Sequence, residues 1–124
     1  MILSDGIDTF SKASSEKAVE SALAVGASIY GVDMSSIEIA GTTRRQSSAS
    51  LKGFAEKTGG RFIETPGGPA LRDAFTGIAN ELGQQYTIAY RPVNKTRDGK
   101  WRKLEVKVSR EDLTVRTRKG YRIR

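Results

Sequence analysis

The sequence predicts a mixed α/β fold, with an α/β unit of the parallel-sheet type over residues 1–85 and an antiparallel β-meander over residues 86–124, the two packed on one core. Three observations carry this. Short apolar runs alternate with helix-period segments as far as Leu82; the apolar period then changes to two from Tyr86 onward; and the opening run, Met1-Ile2-Leu3, passes straight into Ser4-Asp5-Gly6. An apolar run ending in a carboxylate reads as a buried strand whose last side chain projects from the carboxyl end of a sheet, where open α/β folds place their ligands.

Element by element, Ile2 to Asp5 is the first strand. Ser14 or Ser15 caps a helix in which Ala18, Val19, Ala22 and Leu23 recur at helical spacing, and Gly26 ends it in a left-handed turn. Ser28 to Val32 forms a second buried strand, and the polar, aperiodic stretch from Asp33 to Ala49 reads as a long loop over the strand ends. A helix opens at Ser50, carries Leu51, Phe54 and Ala55, and closes at Thr58-Gly59-Gly60; Arg61 to Glu64 is a short strand. Pro69 suits the first turn of a third helix, with Leu71, Ala74, Phe75, Ile78, Ala79 and Leu82 on one face. In the meander, Tyr86, Ile88 and Tyr90, then Leu104, Val106 and Val108, then Leu113, Val115 and Thr117 each alternate with polar residues, giving one buried and one wet face. Trp101 is out of phase with Leu104, which calls for a bulge or for an indole covering the other face.

Composition limits the chemistry. A chain of 124 residues with 37% hydrophobic content suffices for one core. With no cysteine and no histidine, thiol catalysis, Ser/His/Asp triads, zinc-thiolate sites and disulfides are excluded, and any metal must be a hard cation held by oxygen. No spacing points to a convergent catalytic set, so the chain is not expected to be an enzyme. No stretch approaches the roughly 20 apolar residues of a membrane span, and no signal-peptide pattern opens the chain. Residues 1–90 hold 8 Lys/Arg and 10 Asp/Glu, whereas residues 91–124 hold 13 and 4, so the net charge of +7 belongs to the C-terminal region.

Taken together, Leu3-Ser4-Asp5-Gly6-Ile7-Asp8-Thr9, the Ile29-Tyr30-Gly31-Val32 strand, Leu51 to Ala55 with Thr58-Gly59-Gly60, and Leu71 to Tyr90 resemble the second half of a von Willebrand factor A domain. More narrowly, Gln85 to Pro92, Asp98-Gly99-Lys100-Trp101-Arg102-Lys103 and Arg118-Lys119-Gly120-Tyr121 resemble the bacterial von Willebrand factor A-related proteins of the Acidobacteria type. The resemblance implies a doubly wound, Rossmann-like α/β fold and a protein-interaction or adhesion module. It also implies a metal-ion-dependent adhesion site, in which Mg²⁺ or another hard divalent cation accepts an acidic group of a protein partner. That site draws on three loops, and only the third matches, at Asp5, with Asp8, Ser4 and Thr9 as secondary candidates. The Asp-x-Ser-x-Ser motif of the first loop is absent: Ser48-Ala49-Ser50 has no Asp before it on a buried strand. A cofactor is therefore expected in a longer parent rather than in this chain alone. The same resemblance suggests a secreted or cell-envelope parent.

Other readings stand beside this one. Asp5 can equally cap the turn that follows it. The C-terminal charges can form a basic face for an anionic polymer or acidic surface, with Arg102, Lys103, Lys107, Arg116 and Arg118 as contacts. Nucleic acid is not expected, because Trp101 is the single aromatic residue among the cations Lys100, Arg102 and Lys103. The opening strand looks like the middle of a domain, and its free edge predicts self-association.

Overall fold

The computed structural model describes residues 2–3, 12–34 and 42–123. Three short strands, β1 (Ile2–Leu3), β2 (Gly31–Asp33) and β3 (Phe62–Glu64), form a parallel sheet in the order β1-β2-β3. Helix α1 (Ser15–Ala24) lies between β1 and β2 in the chain, and α2 (Thr42–Thr58) between β2 and β3. Parallel neighbours require such crossovers. Register pairs Leu3 with Val32, and Val32 with Ile63. Helix α3 (Gly68–Gly83) follows, then an antiparallel ribbon of β4 (Trp101–Lys103) and β5 (Gly120–Arg122).

Local chemistry explains the helix ends. Ser14, in extended backbone, accepts the Lys17 N–H on its hydroxyl at 3.3 Å and starts α1. At the other end Gly26, at φ 70°, donates to Leu23 O while Ala27 donates to Ala22 O, the paired bonds of a Schellman cap.

Both faces of the sheet are covered. Val32, 1% exposed, packs with Tyr30 and Ile78 of α3, and Ile63 and Leu71 extend this cluster. Gly31 faces the other way: a Cβ there would lie 3.7 Å from Leu51 Cβ of α2 and 3.2 Å from the Phe62 ring. A strand buried on both sides explains the unbroken apolar run read from the sequence.

Three expectations are corrected. The second strand begins at Gly31 rather than Ser28, because Ser28 Oγ donates to Thr58 O and the Ile29 N–H donates to Thr58 Oγ1. These hydrogen bonds go to the end of α2, not to a neighbouring strand. The loop expected up to Ala49 is helical from Thr42. Ser47, Leu51, Ala55 and Thr58 are all buried, at spacings of four, four and three, so a serine continues the apolar stripe where hydropathy shows none. The three-run meander is replaced, among the described residues, by the two short strands β4 and β5. Tyr86 and Ile88 are 88% and 71% exposed, and Val108, Leu113 and Val115 are also exposed. Alternation marks two faces but cannot create the layer that would cover one of them. Trp101 follows the second of its two readings: its indole lies over Gly120 of β5, where a Cβ would approach Cε2 to 2.5 Å.

The ribbon is joined to the α/β unit chiefly by polar contacts. The Lys119 N–H donates to Lys57 O at 3.3 Å, Arg116 pairs with Glu81 at 2.8 Å, and Arg122 pairs with Glu20 at 2.8 Å. Within the C-terminal segment Tyr90 meets Tyr121 edge to face, with ring centroids 6.0 Å apart. Among the described residues, no helix is long and apolar enough to cross a membrane.

Candidate site at the carboxyl end of the parallel sheet

Asp33 is the last residue of β2 and is 1% exposed. A carboxylate this deep needs compensating donors. Ser48 of α2 supplies one, its hydroxyl donating to Asp33 Oδ2 at 2.5 Å, in the range of charge-assisted O–H···O⁻ bonds. The Asp33 carbonyl accepts the N–H of buried Thr65, just past β3, at 2.9 Å. Thr65 Oγ1 in turn accepts the Gly67 N–H at 3.2 Å, on the approach to α3. One acidic residue thus connects the ends of β2 and β3 to the N-terminal half of α2.

The sequence reading passed over Asp33, although its signal matches that of Asp5: an apolar run, Ile29 to Val32, ending in an aspartate. The polar residues after it read as a loop up to Ala49, which hides the first two turns of α2, where Ser48 lies. Asp5, Asp8, Ser4 and Thr9 lie outside the described residues. In the chain Asp5 follows Leu3 by two positions, and Leu3 pairs with Val32, the neighbour of Asp33. Among the described residues, no group of three or more acidic side chains could hold a metal ion.

A second polar cluster lies at the other end of the sheet. The Tyr30 hydroxyl, on a side chain buried before β2, donates to Glu81 Oε1 of α3 at 3.3 Å. Glu81 Oε2 also accepts from Arg116 at 2.8 Å and stands 3.8 Å from Arg61. Burial is the main cause that raises the Tyr30 pKa above 10.0; the charge of Glu81 and the hydrogen bond to it add to this, and Arg116 opposes it. The folded protein therefore holds the phenol proton more tightly than the unfolded chain does. This stability contribution is fully present below pH 10 and is lost as pH rises through the folded pKa. In urea melts at stepped alkaline pH, Tyr30→Phe is expected to flatten the loss of stability above pH 10; an unchanged slope would rule this origin out.

The five basic candidates do not share one environment. The Arg102 side chain is only 14% exposed and is turned onto the oxygens of Asn94, Thr96 and Asp98. Arg116 is held by Glu81, and Lys107 pairs with Glu105 at 3.3 Å. Arg118 is half-buried, with its backbone against Gly59, and Lys103 is exposed. Of the five, the cations best presented to an external anion are Lys103, which is exposed, and Lys107, whose side chain stays 83% exposed within its pair with Glu105.

Between β3 and α3 an open depression of about 270 Å³ is lined by Arg61, Ile63, Glu64, Thr65, Ala70, Asp73, Ala74 and Gly77. It falls below the roughly 300 Å³ at which ligand pockets begin. Neither family models, nor curated proteins, nor solved structures yield a match to this chain.

Proposed function

We propose that this chain is a protein-interaction module of the von Willebrand A type, which engages an acidic group of a partner at the carboxyl end of its parallel sheet. The observation that supports this reading is the sheet itself: three parallel strands in chain order, two helical crossovers, and a buried carboxylate with its serine partner at the rim where such folds bind ligands. In this reading Asp5 is the residue that would contribute to a hard divalent cation, with Ser4, Asp8 and Thr9 as secondary candidates. Asp33, turned inward to Ser48, braces the rim. A cation at that rim would supply an open coordination position for a carboxylate of the partner, and water would complete the roughly six oxygen ligands that Mg²⁺ demands.

Calorimetric titration of Mg²⁺, Mn²⁺ and Ca²⁺ into the chain tests this. Saturable binding that disappears in Asp5→Ala is the expected result, and absence of heat with all three ions would overturn the cation-dependent reading. A basic surface that binds an anionic polymer is the competing reading. It would show as an affinity that falls steeply with salt and ignores chelators. Lys103 and Lys107 are its best-exposed contacts, whereas Arg102 and Arg116 are engaged within the protein. Self-association through the outer edge of β1, whose one described strand partner is β2, belongs to the same proposal; sedimentation as a monomer at high concentration would count against it.

A further inference from the structure

The segment leading into β4 runs Asn94-Lys95-Thr96-Arg97-Asp98-Gly99-Lys100-Trp101-Arg102-Lys103-Leu104-Glu105. Oxygen-bearing side chains at its first, third and fifth positions, glycine at the sixth and glutamate at the twelfth follow the spacing by which twelve-residue calcium loops present their ligands. Asn replaces the usual leading Asp, so the segment carries less negative charge than such loops do.

The turn is formed. Gly99 sits at φ 65°, Asn94 Oδ1 accepts the Thr96 N–H at 3.0 Å, and Asp98 Oδ1 accepts the Lys100 N–H at 3.1 Å. A cation stands among these oxygens, and it belongs to the protein. Arg102 Nη1 donates to the Asn94 carbonyl, and Nη2 donates to the Thr96 carbonyl at 2.5 Å. Nη2 also lies 3.4 Å from Asn94 Oδ1 and 3.5 Å from Asp98 Oδ1. Four oxygens from the first, third and fifth positions converge on one guanidinium. Glu105 takes no part, since its carboxylate pairs with Lys107.

We infer that the Arg102 guanidinium is the resident cation of the 94–105 loop, standing where a loop of this spacing would hold a calcium ion, so that the loop closes without metal. The chemistry suits the role. A guanidinium keeps its charge at every working pH, and its fork of N–H donors can satisfy several oxygens at once, which a lysine ammonium at the same place would do less well. A divalent ion entering the same oxygens would meet that fixed charge a few ångströms away, which excludes it. Removing the guanidinium should leave oxygens arranged for a hard cation, though too few and too weakly charged for more than the roughly 10⁻⁴–10⁻³ M affinity of the weakest calcium modules.

Tb³⁺, a calcium-sized ion whose luminescence a nearby indole sensitises, is the probe, with Trp101 inside the loop as antenna. The unmodified protein should give no sensitised signal at millimolar Tb³⁺. Arg102→Ala should gain one that excess Ca²⁺ displaces and that the further change Asp98→Asn abolishes. A calcium-displaceable signal in the unmodified protein, or its absence in Arg102→Ala, would overturn the inference. Should Arg102→Ala not fold, the unmodified protein still decides the matter. Its Thr96 and Lys100 amides should exchange with solvent at the same rate in chelator and in millimolar Ca²⁺, and a rate that depends on Ca²⁺ would show that the loop holds metal after all.

Discussion

Ser48→Ala should destabilise the protein by about 2–3 kcal/mol, more than a typical neutral hydrogen bond is worth. The hydroxyl it removes donates to the side chain of a residue that is 1% exposed, and depriving a buried carboxylate of one of its donors costs more than the hydrogen bond contributes net. The loss should be uneven along the chain. Amides in the N-terminal half of α2 should lose hydrogen-exchange protection before those around Leu51 and Ala55, which are held by apolar burial. Asp33→Asn, which keeps an acceptor for Ser48 in nearly the same shape, should cost less than Asp33→Ala. Urea melts of the three variants test the ordering, and equal costs for Asn and Ala would show that the hydrogen bond to Ser48 is not what the carboxylate contributes. The result also bears on function, because an interaction rim built on the ends of β1 and β2 requires α2 to be held against Asp33. If the titration with divalent cations succeeds in the unmodified protein, Ser48→Ala should weaken it without touching a proposed ligand.

The second large effect is expected at the joint between the α/β unit and the ribbon. Gly59 has φ 81°, a conformation that costs a residue with a side chain about 1 kcal/mol. A Cβ at this position would also stand 2.6 Å from the Arg118 backbone nitrogen and 2.7 Å from the Thr117 carbonyl carbon, so the two backbones would have to part. Gly59→Ala should therefore cost about 2–4 kcal/mol, in the range of overpacked sites with added backbone strain. Much of that loss should appear as undocking of the segment around residues 117–119. The Lys119 N–H bond to Lys57 O lies beside the clash, and Trp101 against Gly120 reports on the ribbon. A shift in Trp101 emission at denaturant concentrations where the helical signal is intact is the expected observation. Coincident transitions by both probes would mean that the ribbon and the α/β unit unfold as one, and that Gly59 matters only to α2.

These two sites show how unevenly the fold was legible in the sequence. Gly59 was readable as a helix stop because the left-handed turn after α2 is a property of the local chain, as are the Ser14 cap, the Gly26 turn and Pro69 in the first turn of α3. Asp33 was present in the sequence with the same signature as Asp5, yet its partner was hidden: the first two turns of α2 bury Ser47 and offer Ser48, and hydropathy cannot distinguish a serine that faces a sheet from one that faces water. The Tyr30, Glu81 and Arg116 cluster had no signal at all, since its members are 51 and 35 residues apart in the chain.

By itself, then, the sequence determined the order of helices and strands as far as α3, both ends of α1, the stop of α2 at Gly59, and the hard-cation limit that follows from the absence of cysteine and histidine, because each depends on residue chemistry or on neighbours within a few positions. Tertiary structure decided where the polar side chains went. It turned Ser48 onto Asp33, turned Arg102 into its own loop rather than outward, and reduced the alternating C-terminal runs to one short ribbon. Hydrogen bonds and ion pairs between distant residues form only where packing brings donor and acceptor within about 3 Å, and that proximity is a property of the folded backbone, which periodicity along the chain does not encode.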